Sequence, residues 1–323
     1  MPLDHYVSQV HLKQFYSPVL VNRMYAIRKS DLKVFTPRSE DVCRILDGST
    51  NTYLREDRTI EEFLKTVEPH YNVALDKLMA GAIDPICVYA IAGFAAYIVT
   101  CSPGAMRLGS AFLKDSVGVI TEMMEARGEL PPPPASLQGT GLIDLLRRGA
   151  LEINVDRKYP QAIGINGILK LVARFGNAKW DILHNESRET PFFTSDYPAA
   201  IQVTHDAGIF NRIVPLAPAL AVRIKPNPKV DRATVDLSFG HFQSRVRRVG
   251  RDEATIFNRA IVRCAEDAVF YRDARPWVEP FVSKNRHYRI EPLIIKQRTP
   301  RGIVQISTHR IVARPPGREG GSK

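Results

Sequence analysis

Fifteen consecutive residues, Ile86 to Thr100, carry no charge and are apolar on every side of a 3.6-residue period. A helix of that composition has no face to offer water, so the chain must surround it with other elements. A bilayer would serve the same purpose, but it needs about 20 apolar residues, and Pro103-Gly104 interrupt the uncharged run that begins at Pro85. The expectation is a core helix at the centre of a helical bundle, with no membrane partner. At 323 residues and 44% apolar content the chain is long enough to build that shell.

The flanking sequence is helical as well. From Thr59, the residues Ile60, Phe63, Leu64, Val67, Tyr71, Leu75 and Leu78 fall on one face. Thr59 and Glu62 predict a capping box, Gly81 a stop, and Pro69 a kink or two abutting helices. Another helix is predicted from about Arg107 to Arg127. Ahead of the bundle, His5 to Phe15 should form one or two helical turns and Asn22 to Arg28 a strand, with Lys33 to Phe35 either extending its hairpin or leading into a loop. Pro131 to Pro134 read as a stiff spacer, after which helical patterns resume at Leu142 to Arg148 and Gln161 to Phe175.

After Trp180 the periodicity becomes extended. Trp180 to His184 and Pro191 to Thr194 look like the arms of a hairpin around Asn185 to Glu189. Further strands are predicted at 209–214, 220–224, 234–239 and 269–271, with a helix over about 253–268. A last hairpin, 291–296 with 302–312, turns at Thr299 to Gly302, and a disordered tail is expected beyond Pro315. The fold class that follows is α+β, an N-terminal helical region packed on a mostly antiparallel C-terminal sheet. Its expected divisions are a mainly helical region with a short N-terminal hairpin (1–130), a Pro-rich spacer (131–141), an α+β region (142–312) and a tail (313–323).

Four pieces read together carry a resemblance: His5-Tyr6-Val7 with Leu12 and Phe15, then Phe193-Thr194-Ser195-Asp196-Tyr197-Pro198, then Pro215-Leu216-Ala217-Pro218, and Asn258 with Ala265 and Val269-Phe270-Tyr271. Over roughly residues 4–272 the chain resembles the family called domain of unknown function 4238, whose members open H-H-Y-V-P and carry F-x-T-S-D-x-P and P-L-x-P. It departs from that pattern at Asp4, Ser8 and Tyr197. Thr100-Cys101-Ser102 stand where relatives often have an arginine before threonine and proline. The resemblance implies common residues and no reaction.

Several of these residues could carry chemistry. Asp4-His5-Tyr6-Val7 is similar to the D-H-x-x-P opening of histidine-asparagine-histidine nucleases, and a pocket formed by His5, Asp196 and Asn258 would pair a base with an orienting carboxylate. A structural alternative stands beside it. Thr194, Ser195 and Asp196 before Pro198 make a rigid strand exit, and Asn258 on an apolar helix face must satisfy its amide within the fold. Ser195 lacks the G-x-S-x-G elbow of a hydrolase nucleophile. His184, His205 and His287 have no metal-ligand spacing, no metal is expected, and no nucleotide fingerprint names a cofactor.

Charge is unevenly placed. Residues 240–323 hold 18 Lys and Arg against 8 Asp and Glu, while residues 1–239 are almost balanced. Arg245, Arg247 and Arg248, with Arg286 and Arg289, are the candidates for contact with nucleic acid or another polyanion. Cys43, Cys87, Cys101 and Cys264 are widely separated and suit reduced thiols in a cytoplasmic protein. Two functions are open at this point. One is a nucleic-acid-acting enzyme or toxin-like effector with a His/Asp-centred pocket. The other is a non-catalytic nucleic-acid or protein binding module whose motifs are turns.

Overall fold

A computed structural model of the chain describes residues 3–133, 136, 139–204, 209–231, 234–299 and 302–313. It begins with strand β1 (Leu3–His5), one helical turn α1 (Gln9–Leu12) that tightens into a 3-10 turn to Phe15, and strands β2 (Tyr25–Arg28), β3 (Val34–Phe35) and β4 (Arg44–Leu46). Three long helices follow, α2 (Thr59–Ala80), α3 (Pro85–Cys101) and α4 (Pro103–Ala126), then α5 (Leu142–Arg147), α6 (Lys158–Asn166) and α7 (Ile168–Gly176).

Helix α3 is buried along nearly its whole length, as its composition demands. Its start is chemically defined: the Asp84 side chain accepts from the Cys87 amide at 2.8 Å, and Pro85 occupies the first turn, where a missing N–H costs nothing. Helices α2, α4, α6 and α7 pack around it. At Gly93 a Cβ would lie 2.7 Å from Val67 Cγ2, so glycine sets the close approach of α2 to α3. Among the described residues no single helix is long and apolar enough to cross a membrane.

For α2 one prediction needs correction, and one of two alternatives falls away. Thr59 is already helical, with Arg58 at the cap position, and its hydroxyl donates to the Glu56 carbonyl at 2.7 Å, so there is no capping box with Glu62. Pro69 does not divide the helix, which runs unbroken from Thr59 to Ala80. A proline in a helix interior costs about 3 kcal/mol. Burial of Phe63, Val67, Tyr71, Leu75 and Leu78, at about 1.5–3 kcal/mol for each full burial, outweighs it. Gly81 ends the helix in the left-handed region, as expected (φ 73°).

The second half supplies β5 (Lys179–Asn185), β6 (Thr194–Ser195), β7 (Ala200–Val203), β8 (Phe210–Ala217), β9 (Leu220–Lys225), β10 (Gln243–Val249), helix α8 (Arg251–Cys264), β11 (Ala268–Tyr271), helix α9 (Val278–Asn285), and the ribbon β12 (Tyr288–Thr299) with β13 (Gly302–Ala313). One sheet has the order β10-β5-β9-β8-β7, antiparallel except for β10 beside β5. A second sheet has the order β3-β2-β11-β6 and is antiparallel throughout, and β1 with β4 forms a separate antiparallel pair, as β12 does with β13. The architecture is α+β with mostly antiparallel sheets.

The strand pairing differs from expectation in one informative place. β5 and the Pro191–Thr194 segment are not a hairpin: β5 pairs with β9 and β10, and β6 pairs with β11 in the second sheet. Asn185 organises the crossing, its Nδ2 donating to the Thr190 carbonyl at 2.8 Å and its Oδ1 accepting from Ser187 N at 2.9 Å. No strand forms over 234–239, and β7, β10 and α9 were not anticipated. His205, the residues 300–301 of the last turn and the tail from 314 lie outside the described residues. β2 from the first region lies beside β11 from the third, and one buried apolar cluster runs from Val7 to Ile290.

Candidate functional site

The segment Thr194 to Pro198 starts as β6, an edge strand of the four-stranded sheet, leads toward β7 of the five-stranded one and is fully enclosed, with Asp196 5% exposed. Every polar side chain in it has a hydrogen-bond partner. Thr194 Oγ1 is 2.7 Å from His11 Nε2, and His11 Nδ1 is 2.8 Å from the Tyr71 hydroxyl. The His11 ring also stacks on Phe94, with centroids 4.7 Å apart. Ser195 Oγ accepts from the Tyr197 amide at 3.1 Å, closing a side-chain turn. Pro198 sits in the tight turn where the Ala199 amide donates to the Tyr197 carbonyl at 2.8 Å, leading into β7.

Asp196 folds back onto the turn between α8 and β11. Its Oδ1 accepts from Glu266 N at 2.9 Å, and its Oδ2 from Asp267 N at 2.7 Å and Ala268 N at 2.9 Å. Burial raises its pKa to about 6, against the lowering effect of the amides of Ala268 and Asp267. Asn258 on α8 acts like a neighbouring strand: its Oδ1 accepts from Phe193 N and its Nδ2 donates to the Pro191 carbonyl, both at 2.9 Å. Two of the three residues expected around one pocket thus have their polar atoms committed to backbone groups.

His5 lines a cleft whose walls include neither Asp196 nor Asn258, and among the described residues no hydrogen-bond partner is common to it and the other two. The cleft is about 250 Å3, with Leu3, Asp4, Ser8, Arg58, Glu61 and Glu68 among its walls. Burial, reinforced by Arg44, lowers the ring's pKa below the ordinary histidine value, although the Ser39 and Glu40 carbonyls favour the charged form. Its Nε2 is buried without a partner among the described residues. The carboxylates of this cleft are already paired. Glu68 accepts from Ser8 Oγ at 2.5 Å, and Glu61 is bridged to Arg58.

Positions where the sequence departs from the family pattern are in use. Ser8 supplies the Glu68 contact, and the Tyr197 hydroxyl meets Arg212, whose Nη1 donates to the Ala199 carbonyl at 3.0 Å. Among the described residues no group of three or more His, Cys, Asp or Glu is arranged to hold a metal ion.

Four of the five candidate arginines are engaged within the fold by partners of their own. Arg247 binds Glu253 through both terminal nitrogens, at 2.8 and 3.3 Å. Arg248 Nε lies 3.4 Å from Glu186. Arg286 donates to the Ser30 carbonyl at 3.2 Å, and Arg289 Nε to Glu291 at 2.6 Å.

Arg245 is different, because its partner Asp181 is shared. Asp181, 0% exposed, takes Arg245 Nε at 2.6 Å and Lys225 Nζ at 2.8 Å on Oδ1, and Arg223 through two nitrogens on Oδ2. Burial alone would raise the pKa of this carboxyl, but the bonds from Arg245, Lys225 and Arg223 outweigh it and hold the group well below the usual carboxylate range. Three cations on one carboxylate leave a local surplus of positive charge.

Asp181, Arg223 and Lys225 were not candidates in the sequence. Their signal is the two-residue spacing of Lys179 with Asp181 and of Arg223 with Lys225, which puts each pair on one face of a strand. His11 was also passed over, as a residue inside a helical turn.

No curated protein and no solved structure matches the chain. A family model described as a protein of unknown function, DUF4238, matches residues 4–275, the span that contains the enclosed motif, its His11 and Asn258 partners and the Asp181 cluster, and the chain belongs to that family.

Proposed function

We propose that this protein binds nucleic acid through its C-terminal sheet and does not cleave it. The observation that carries the reading is the contrast between two carboxylates. Asp196 is fully engaged by three backbone amides, whereas Asp181 gathers three cations and neutralises the charge of one. A catalytic pocket would need an orienting group at His5, and the Asp196 and Asn258 side chains are committed to other partners. A cation surplus on an ordered sheet suits contact with a phosphate backbone.

Purified protein incubated with fluorescent RNA and DNA, with and without Mg2+, should bind both with an affinity that falls steeply as salt rises, and should leave both intact. Cleavage that disappears in a His5→Ala variant would overturn the non-catalytic reading and return the cleft to the centre of the function. Absence of binding even at low salt would end the nucleic-acid reading altogether.

A further inference from the structure

The face of the five-stranded sheet that carries Asp181 holds more positive charge than its carboxylate can answer. Alternation along each strand puts Lys179 and Asp181 of β5, Arg223 and Lys225 of β9, and Gln243 and Arg245 of β10 on one side. The register arranges them in two rows. Arg245, Asp181 and Arg223 stand side by side, and Gln243, Lys179 and Lys225 form the row next to them.

Lys179 and Lys225 are therefore directly opposite one another, an arrangement that repels. Lys225 is drawn to Asp181, while Lys179 is exposed and has no ion pair among the described residues. Four cations face one carboxylate. Arg245, 63% exposed, bonds Asp181 through its Nε, and its two terminal nitrogens make no hydrogen bond among the described residues. Gln202 Oε1 receives Asn211 Nδ2 at 3.3 Å and Arg223 Nη1 at 3.5 Å, which extends the polar row toward β7 and β8.

We infer that Lys179, Arg223, Lys225 and Arg245 form a clamp for a phosphate group, with the buried Asp181 as the positioning residue that fixes Arg223, Lys225 and Arg245 beforehand. Adjacent strands are about 4.8 Å apart and successive same-face residues about 7 Å apart, so the cations span a patch suited to one or two phosphates. Guanidinium and ammonium groups held in place lose less freedom on binding than free surface side chains do. A phosphate would also relieve the Lys179–Lys225 repulsion. That the phosphate belongs to a nucleic acid rests on the function proposed above; the clamp itself does not.

The test measures binding of a fluorescent oligonucleotide, inorganic pyrophosphate and heparin to the full chain. It compares wild type with the Lys179→Gln, Arg245→Gln double variant and with a Lys65→Gln, Lys170→Gln double variant, a charge-matched control on α2 and α7. The double variant should lose pyrophosphate binding, weaken the oligonucleotide about tenfold or more and flatten its salt dependence, by about 0.7–0.9 in logarithmic slope for each phosphate contact removed. The control should match wild type.

Asp181→Asn supplies a test of sign. It makes the face more positive, so a diffuse charged surface would bind more tightly, whereas a positioned clamp binds more weakly. Tighter binding by a folded Asp181→Asn protein would overturn the inference. Oligonucleotide binding unchanged in the double variant would remove the clamp and leave the nucleic-acid function standing at another place. Pyrophosphate binding that depends on the clamp, with no oligonucleotide bound, would support the clamp and remove that function. Heparin bound without pyrophosphate would reduce the face to a general polyanion surface and overturn the phosphate site.

Discussion

His11 and Thr194 lie 183 positions apart in sequence and share a hydrogen bond of 2.7 Å. That contact ties the opening of the chain to the enclosed motif that leads from the four-stranded sheet toward the five-stranded one. His11 is completely buried, and burial lowers its pKa to about 3. In the unfolded chain a histidine titrates near 6.5, so below that pH the unfolded state takes a proton that the folded state refuses. Stability from this group is present above pH 6.5 and is lost as pH falls toward 3. At pH 4.5 the loss is roughly 3 kcal/mol. Urea melts of wild type and His11→Gln at pH 7 and 4.5 should show the difference between them shifting against wild type by about that amount. A constant difference would mean that the ring is not held neutral.

Asp196 should behave with the opposite sign. Burial raises its pKa to about 6, so the folded state keeps a proton that the unfolded state releases near 3.8. Its contribution is complete below pH 3.8 and is lost as pH rises through 6, by roughly 3 kcal/mol. The stability advantage of wild type over Asp196→Asn should therefore shrink between pH 4 and 6.5. An advantage that grows over that interval would show the three amides stabilising the anion more than burial penalises it. Asp196→Ala strands all three donors and should cost on the order of 3–6 kcal/mol at pH 5.

Asn258→Leu keeps the volume but removes both bonds to the Pro191–Phe193 backbone. A buried donor and a buried acceptor are left unmet, at about 2–4 kcal/mol together. Hydrogen exchange at the Phe193 amide should accelerate more than exchange across β5. Equal acceleration at both would assign the loss to general destabilisation.

Arg107 fastens the ribbon to the body. It holds Glu266 through Nε and Nη2, at 3.1 and 2.7 Å, Glu291 through Nη1 at 2.8 Å, and the Ile290 carbonyl through Nη2 at 2.7 Å. Arg107→Met preserves the aliphatic stem and leaves two carboxylates short of their partner, for about 2–4 kcal/mol. Exchange mass spectrometry should find Tyr288 to Ala313 opening before the rest of the molecule. A variant that loses protection everywhere at once would disprove the fastening role.

Local chemistry was legible where it acts over short stretches. The burial of α3, the Gly81 stop and the β12–β13 hairpin follow from periodicity and turn residues near in sequence. What stayed hidden depends on which strands become neighbours. Arg245 and Asp181 meet because β10 runs parallel to β5 after a long crossover, and nothing within either strand encodes that partner. The Asp181 cluster thus looked like ordinary strand charge. Asp196 and Asn258 were rightly singled out as polar residues needing an explanation, but sequence position could not tell a pocket wall from a backbone clamp.

The order β3-β2-β11-β6 has a consequence during synthesis. The edge of β2 that receives β11 is made about 240 residues before its partner. At roughly 5–20 residues per second, that edge waits about 12–50 s with only β3 on its other side. Ala26 and Ile27, buried in the finished protein, are exposed to other nascent chains during that interval. Arg28 ends the apolar stretch with a charge, and Lys29 beside it adds a second that guards the unfinished edge until the Ala265 carbonyl arrives to receive it.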